Sequence, residues 1–310
     1  MNPKVDVVVV TYNRLELLKK CIHSIVKQDY FVNKIIVVDN NSTDNTYNYL
    51  KNISKKYDFI QPLHFSENLG GAGGFYEGMK FFIENSNGDY VWIMDDDTIP
   101  QTSALKKMVE KIKYIPKLGF LTSNVRWKNN APALMNVQEP DQIWNQFADK
   151  GLIKVNYASF VSILFPRKVI MDVGLPIKEF FIWGDDVEYT RRIDTAGYMG
   201  FTVIDSLVTH EIKNNIGSNI ILEEDENRIK RYYYARRNTI FTMKNRYGKK
   251  DYFKWIINSL IFEPIRIIRF SKDRKLLRLK SSLKGTISGF FFNPKVIVPK
   301  NKESKNFGKK

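Results

Sequence analysis

From Val5 to Val10 every residue but Asp6 is valine. A β-branched run without a polar face belongs in a strand covered on both sides, the condition of a parallel sheet sandwiched between helices. The next residues keep to that plan. Thr11-Tyr12-Asn13-Arg14 ends the run, and Leu15, Leu17, Leu18, Cys21, Ile22, Ile25 and Val26 then recur at helical spacing. A second strand-like run, Lys34 to Val38, ends in Asp39-Asn40-Asn41-Ser42-Thr43-Asp44. Strand, helix, strand with polar loops at the strand C-termini predicts an open α/β sheet, and such sheets bind ligands along that edge, above all where strand order reverses. Asp39 suits a hydrogen bond to a base or ribose as well as it suits capping a helix from Thr43 onward.

A third strand, Ile60 to Phe65, leads into Ser66-Glu67-Asn68-Leu69-Gly70-Gly71-Ala72-Gly73-Gly74-Phe75. Such glycines let backbone amides approach a ligand, and the helix after them offers its N-terminus to phosphate. A tight turn uses glycine equally well, and the spacing is neither the dinucleotide fingerprint nor a P-loop. Next, the apolar run from Tyr90 ends in Asp95-Asp96-Asp97, with Pro100 close behind. Three adjacent carboxylates repel one another, a strain that Mg2+ or Mn2+ relieves and that exposure in an acidic turn relieves too. By chain order the triplet shares its sheet edge with Thr11, Asp39 and the glycines, and that convergence suits a diphosphate bridged to carboxylate by a cation.

Ala104 to Ile115 is predicted as an amphipathic helix and Gly119 to Ser123 as a strand. Val125 to Lys154 reads as a polar, aromatic insertion over the active edge, with Trp127, Trp144 and Phe147 packing beneath it. Ala158 to Pro166 is strand-like, and Arg167 to Val173 a short helix stopped at Gly174-Leu175-Pro176. The aromatic run from Phe180 delivers Asp185-Asp186 to a helix start, with Glu188 two residues on, where acids favour the helix dipole and pair with Arg191 or Arg192. Phe201 to Val208 is a late strand, followed by Thr209-His210-Glu211.

The 310 residues suffice for one large domain with an appendage, and the net charge of +16 belongs to the appendage. From Arg228 onward 24 Lys and Arg face 4 Asp and Glu, which leaves 25 against 29 in the first 227 residues. Basic residues there alternate with Ile265, Ile268, Leu276, Leu277, Leu279 and Leu283, the make-up of helices lying on an anionic membrane surface; nucleic acid, the other polyanion, is not the expected partner. A single cysteine, Cys21, excludes an internal disulfide, and neither a signal-peptide pattern nor a bilayer-spanning run is present. The expectation is a cytoplasmic protein, peripheral on the inner face of the cell membrane. Its predicted parts are a catalytic domain over 1–222, a basic amphipathic helical extension over 223–299 and a disordered tail over 300–310.

Val7-Val8-Val9-Val10-Thr11-Tyr12-Asn13-Arg14, Val37-Val38-Asp39-Asn40-Asn41-Ser42-Thr43-Asp44, Asn68-Leu69-Gly70-Gly71-Ala72-Gly73-Gly74 and Asp95-Asp96-Asp97, in that order, resemble the family 2 inverting glycosyltransferases. The resemblance spans roughly residues 4 to 215, a common single-domain size. It implies the GT-A fold, a Rossmann-like α/β mixed sheet flanked by helices, and metal-dependent sugar transfer from a nucleotide diphosphate. Residue by residue, it implies that Thr11, Asn13, Arg14 and Asp39 hold the nucleotide, with Asp39 on the uracil or thymine ring. Asn68, Gly70, Gly71, Gly73 and Gly74 would line the nucleotide and its sugar. Asp95, Asp97 and His210 would hold Mn2+ or Mg2+, with Asp96 facing the donor sugar or ribose and Asp95 shared between metal and donor. Asp186 would be the general base, Asp185 its partner or an acceptor ligand, and Trp183 the floor of the acceptor site. Family members often carry a Trp immediately before the acidic pair; here Gly184 intervenes. The glycine stretch, the triplet and Trp183-Gly184-Asp185-Asp186 together are most similar to galactofuranosyltransferases, which use UDP-galactofuranose. Rhamnosyltransferases, which use dTDP-rhamnose, are the alternative, and a nucleotidyltransferase a more distant one. The implied acceptor is a lipid-linked glycan of a cell-surface polysaccharide.

Overall fold

The computed structural model describes residues 2–215 and 217–300. Its strands are β1 (Val5–Thr11), β2 (Val32–Asp39), β3 (Ile60–His64), β4 (Tyr90–Asp95), β5 (Thr98–Pro100), β6 (Leu118–Arg126), β7 (Glu139–Pro140), β8 (Leu152–Tyr157), β9 (Ser162–Pro166) and β10 (Met199–His210). They form one mixed sheet in the order β3-β2-β1-β4-β9-β6-β10-β8-β7, with β5 paired to β10. Its helices are α1 (Leu15–Val26), α2 (Thr46–Lys56), α3 (Gly70–Asn85), α4 (Ala104–Lys111), α5 (Arg167–Val173) and α6 (Asp185–Thr195), then α7 (Glu226–Arg246), α8 (Lys249–Ile257), α9 (Glu263–Phe270) and α10 (Lys275–Phe291).

The valine run behaves as its lack of a polar face requires. Val5, Val7 and Val9 pack with Leu18, Cys21, Ile22 and Ile25 of α1 on one side of the sheet. Val8 and Val10 pack with Phe75, Met79 and Phe82 of α3 on the other. Each fully buried side chain of this size contributes about 1.5–3 kcal/mol, so the two layers hold β1 as an interior strand. The chain runs outward from β1 to β2 and β3, then crosses back through α3 to lay β4 parallel on β1's other side. Strand order therefore reverses between β1 and β4, and the crevice beyond their C-terminal ends is where an α/β sheet takes its ligand.

Several local expectations shift. The glycines form the first turn of α3 itself. The helix expected over 104–115 stops at Lys111 and tightens into a 3-10 turn, Ile112–Tyr114, and only Ser162–Pro166 of the 158–166 stretch joins the sheet. The polar, aromatic insertion read over 125–154 contributes β7 and the start of β8 to the sheet margin. Within it Phe147 packs edge-on against Phe201, at 5.3 Å, while Trp144 is half exposed. In the basic segment α10 crosses closely on α7: a Cβ at Gly285 would stand 2.4 Å from the Tyr233 carbonyl oxygen, and one at Gly289 2.6 Å from Ile240 Cβ. No helix among the described residues is long and apolar enough to cross a membrane. Apart from Lys300, the stretch expected to be a disordered tail lies outside the described residues.

Candidate active site

The β1–β4 register sets Val10 opposite Asp95, so the acidic triplet leaves the sheet beside Thr11. Thr11 Oγ1 donates to Asp96 Oδ2 at 2.7 Å, and Arg14 Nη1 reaches Asp96 Oδ1 at 3.3 Å and Asp97 Oδ2 at 2.5 Å. The chain then doubles back: β5 pairs antiparallel with β10, Thr98 opposite His210, and the Glu211 amide donates to the Asp97 carbonyl at 2.8 Å. That pairing brings His210 to an aspartate far earlier in the chain. Ligand atoms of Asp95, Asp97 and His210 all lie within 4.8 Å of one another.

These side chains fit a divalent cation. Asp97 Oδ1 and His210 Nδ1 are buried without a hydrogen-bond partner, although Nε2 of the same histidine is 3.0 Å from Oδ1. Asp97 Oδ1 and His210 Nε2 stand close enough to share a cation, and oxygen with imidazole nitrogen is a donor set Mn2+ accepts. Burial and the Asp97 charge push Asp95 up to about 8, and burial pushes Asp96 up to about 6 against the pull of Arg14. Burial works against the ionised forms of Asp97 and His210 as well, but the two hold each other charged: Asp97 is lowered and His210 raised.

The residues expected to surround a nucleotide hold one another. Asn13 adopts φ 54°, a left-handed conformation asparagine tolerates. Its Oδ1 accepts from the Thr43 amide at 2.7 Å, and its own amide donates to Ser42 Oγ at 2.9 Å, tying the β1 loop to the β2 loop. Asp39 is fully buried and does not cap α2, which begins at Thr46. Oδ1 accepts from the Ser42 amide at 2.9 Å and Oδ2 lies 2.9 Å from His64 Nδ1. His64 has no motif around it in the sequence. Its signal is the parallel register that sets it opposite Asp39, legible only once β2 and β3 are aligned. The Tyr47 ring lies 4.4 Å from the His64 ring.

Asn68 Oδ1 accepts from the Gly70 amide at 2.8 Å, shaping the entry to α3. Three of the four glycines are small because protein stands against them. A Cβ would lie 2.0 Å from the Phe181 carbonyl oxygen at Gly70, 2.6 Å from Leu69 at Gly73 and 2.5 Å from Val10 at Gly74. Gly71 has nothing within 4 Å, so it is the glycine of this turn with room for a ligand.

The same turn grips the second acidic pair. The Ala72 amide donates to the Phe181 carbonyl at 3.1 Å, and the chain then passes through Trp183 and Gly184, at φ 65° and 87°, into α6. Asp185 is buried and Asp186 half-buried, with Oδ1 of Asp186 taking the Val187 amide at 2.7 Å. Burial, with the neighbouring charge, pushes Asp185 up to about 8; burial pushes Asp186 up to about 6, and backbone amides at the helix start pull both back down. Neither arginine pairs with these two acids. Arg192 bonds Glu188 at 2.6 Å, and Arg191 lies against Glu139 and Asp194. Trp183 packs edge-on against Tyr232 of α7 at 5.1 Å, with the Arg228 guanidinium 5.8 Å from its ring.

A mixed sheet of this order, with clustered acids and a histidine at its switch point, defines the GT-A class of nucleotide-sugar transferase folds. The chain belongs to glycosyl transferase family 2, whose model matches residues 6–174. It is 30% identical over 200 residues to the glycosyltransferase AglE of Haloferax volcanii, covering 63% of each chain. It is 30% identical over 196 residues to the poly-beta-1,6-N-acetyl-D-glucosamine synthase of Staphylococcus aureus, covering 60% of this chain and 45% of that one. The chain thus spans well under two thirds of the synthase's length. Among solved structures the fold matches GalNAc-T7 with UDP, GalNAc and Mn2+, at TM-score 0.57 and 14% identity over 85% of this chain and 57% of that one. It also matches a mannosyltransferase from Pyrobaculum calidifontis with GDP-Man and Mn2+, at TM-score 0.54 and 18% identity over 94% and 76%.

Proposed function

We propose that the protein is an inverting glycosyltransferase that moves a sugar from a nucleotide diphosphate to a glycan hydroxyl. The observation that carries this reading is the clustering of Asp95, Asp97 and His210 at the end of β4, together with a second acidic pair, Asp185 and Asp186, whose preceding turn bonds the glycine turn of α3 through the Ala72 amide and the Phe181 carbonyl. A divalent cation, Mn2+ or Mg2+, held by the first group would offset the charge of the departing diphosphate. Asp186 accepts the proton of the acceptor hydroxyl as that oxygen attacks the anomeric carbon; the bond to the diphosphate breaks on the opposite face, and the configuration inverts. Burial raises both carboxyls of the pair above the usual aspartate range, and a carboxylate brought closer to neutrality is a better acceptor for a hydroxyl proton. Asp96 faces the donor, and Thr11, Asn13, Arg14, Asp39, Asn68 and the glycine turn border the nucleotide. Trp183 floors the acceptor site.

UDP-galactofuranose is the donor favoured by the glycine turn, the triplet and the Trp183 to Asp186 segment; dTDP-rhamnose is the second. The polysaccharide synthase among the relatives favours a glycan acceptor, and the basic segment favours one that is lipid-linked. α8 and α9 join through a π-helical turn, Asn258–Phe262, into one run on which Phe253, Ile257, Ile261, Ile265 and Ile268 are each about half exposed beside Lys250, Lys254, Arg266 and Arg269. Such a helix lies well on the anionic inner face of a membrane. Screening UDP- and dTDP-sugars for Mn2+-dependent binding and turnover tests the reading, and metal-independent failure to bind either class would overturn it.

A further inference from the structure

The segment that carries Trp183 and the second acidic pair is an unfavourable piece of backbone. Phe181 sits at φ 65°, ψ −60° and Trp183 at φ 65°, where a side chain other than glycine's costs about 1–3 kcal/mol. Something must hold such a turn, and the largest single holder is not on the catalytic sheet. Asn238, fully buried in the middle of α7, directs its Nδ2 at three carbonyls of the turn: Phe180 at 3.0 Å, Ile182 at 3.2 Å and Trp183 at 2.7 Å. Arg237 Nε donates to Asn238 Oδ1 at 3.0 Å, which fixes the amide's orientation, and Arg237 Nη2 reaches the Glu179 and Phe180 carbonyls at 2.6 and 3.2 Å. From the other side the Ala72 amide takes the Phe181 carbonyl.

We propose that Asn238 is a positioning residue: its amide clamps the strained 180–184 turn between α7 and the glycine turn of α3, and so sets where Trp183, Asp185 and Asp186 stand. The chemistry of the residue is specific to the task. Only a primary amide of this length offers two N–H groups to converging carbonyls; aspartate has the same size and no donor, and alanine has neither. Release of the turn would let Phe181 and Trp183 relax towards negative φ and swing the start of α6, whereas Asp97 and His210, set together by the β5–β10 pairing, keep their places.

The inference rests on the transferase reading, so wild-type turnover is measured beside it. In Asn238→Ala and Asn238→Asp, kcat should fall by about 10- to 100-fold, the cost of displacing a reacting group by an ångström or so, with donor affinity unchanged. The pH inflection of kcat should move as Asp186 leaves its site. Phe181→Gly in the Asn238→Ala background should restore part of the loss, because glycine holds that turn without strain; refilling a mere packing defect would gain nothing from it. Unchanged kcat in either folded variant, or a loss shared equally by donor affinity and stability without rescue, overturns the clamp. No turnover by the wild type with any nucleotide sugar removes the transferase reading instead. The clamp is then judged by chymotryptic cleavage at Phe180, Phe181 and Trp183, which should be several-fold faster in the variants, equal rates counting against it.

Discussion

Substituting glutamine at Glu188 should remove about 3 kcal/mol of unfolding free energy. Glu188 is fully buried two residues after Asp186 and accepts four hydrogen bonds: Arg192 Nε and Nη2 at 3.1 and 2.6 Å, and Arg246 Nε and Nη2 at 2.9 and 2.7 Å. One carboxylate thus pairs with two guanidiniums, one on α6 and one at the end of α7. Removing a single partner of a buried ion pair costs about 3–5 kcal/mol, because the charge left behind stays out of water. Two features point to the lower end. Arg192 keeps the Val173 and Leu175 carbonyls at 2.9 and 3.0 Å, and the Arg246 side chain is 19% exposed and can turn to solvent. Urea unfolding followed by circular dichroism measures the change; with slopes of about 1–3 kcal/mol per molar, the midpoint should fall by 1 M or more. Apolar residues of similar volume at Glu188, Arg192 and Arg246 together should recover most of the loss, since the desolvation of all three charges is then avoided. A loss below about 1 kcal/mol in Glu188→Gln would refute the idea that this ion triad fastens α6 to α7.

Asp186→Asn should lower kcat by about 10²- to 10⁴-fold with donor binding intact, and substantial residual transfer would end its assignment as base. In the wild type kcat/KM should fall about tenfold per pH unit below the inflection near 6, because a base works only when ionised and burial has raised the point at which Asp186 takes up its proton; a flat profile from pH 5 to 7 would contradict this. His210→Ala should weaken Mn2+ affinity by about 10- to 100-fold in calorimetric titration, and an unchanged titration would make the histidine structural. Phe253→Asp combined with Ile265→Asp should release the protein from anionic vesicles, whereas tight, salt-sensitive RNA binding without vesicle binding by the wild type would sink the membrane assignment.

The sheet is legible in the sequence because its defining signal is local. Valine after valine in β1 leaves no polar face to solvate, and no tertiary contact is needed to read that. The glycines mislead in detail for the opposite reason. A glycine required by a neighbouring backbone looks, in sequence, like one required by a ligand, and the neighbours of Gly70, Gly73 and Gly74 are Phe181, Leu69 and Val10, two of them distant in the chain. The short strands of the 125–157 stretch stay hidden because a sheet margin imposes little hydrophobic alternation on its residues. In the sequence, family likeness alone brings Asp95, Asp97 and His210 together; the structure supplies the cause, the β5–β10 pairing that sets His210 beside the triplet.

The change of composition near residue 223 marks where positive charge begins, yet it is not where contacts with the catalytic edge stop. Asn238 reaches the turn before Asp185, Arg246 reaches Glu188, and Tyr232 packs on Trp183. Each of these partners lies 49 to 58 positions from its counterpart, beyond the range of any periodicity in the sequence. The match to the family ends at residue 174, before all of them. Asp95, Asp97 and His210 therefore rest on strands whose pattern many sequences can share, while the turn before Asp185 and Glu188 are held by α7, which arrives from the basic segment that also bears the exposed stripe of α8 and α9. The exposed stripe of α8 and α9 and the Asn238 contacts to the 180–184 turn are then consecutive parts of one helical segment, and displacement of α7 would be felt at the start of α6 before it reached β4.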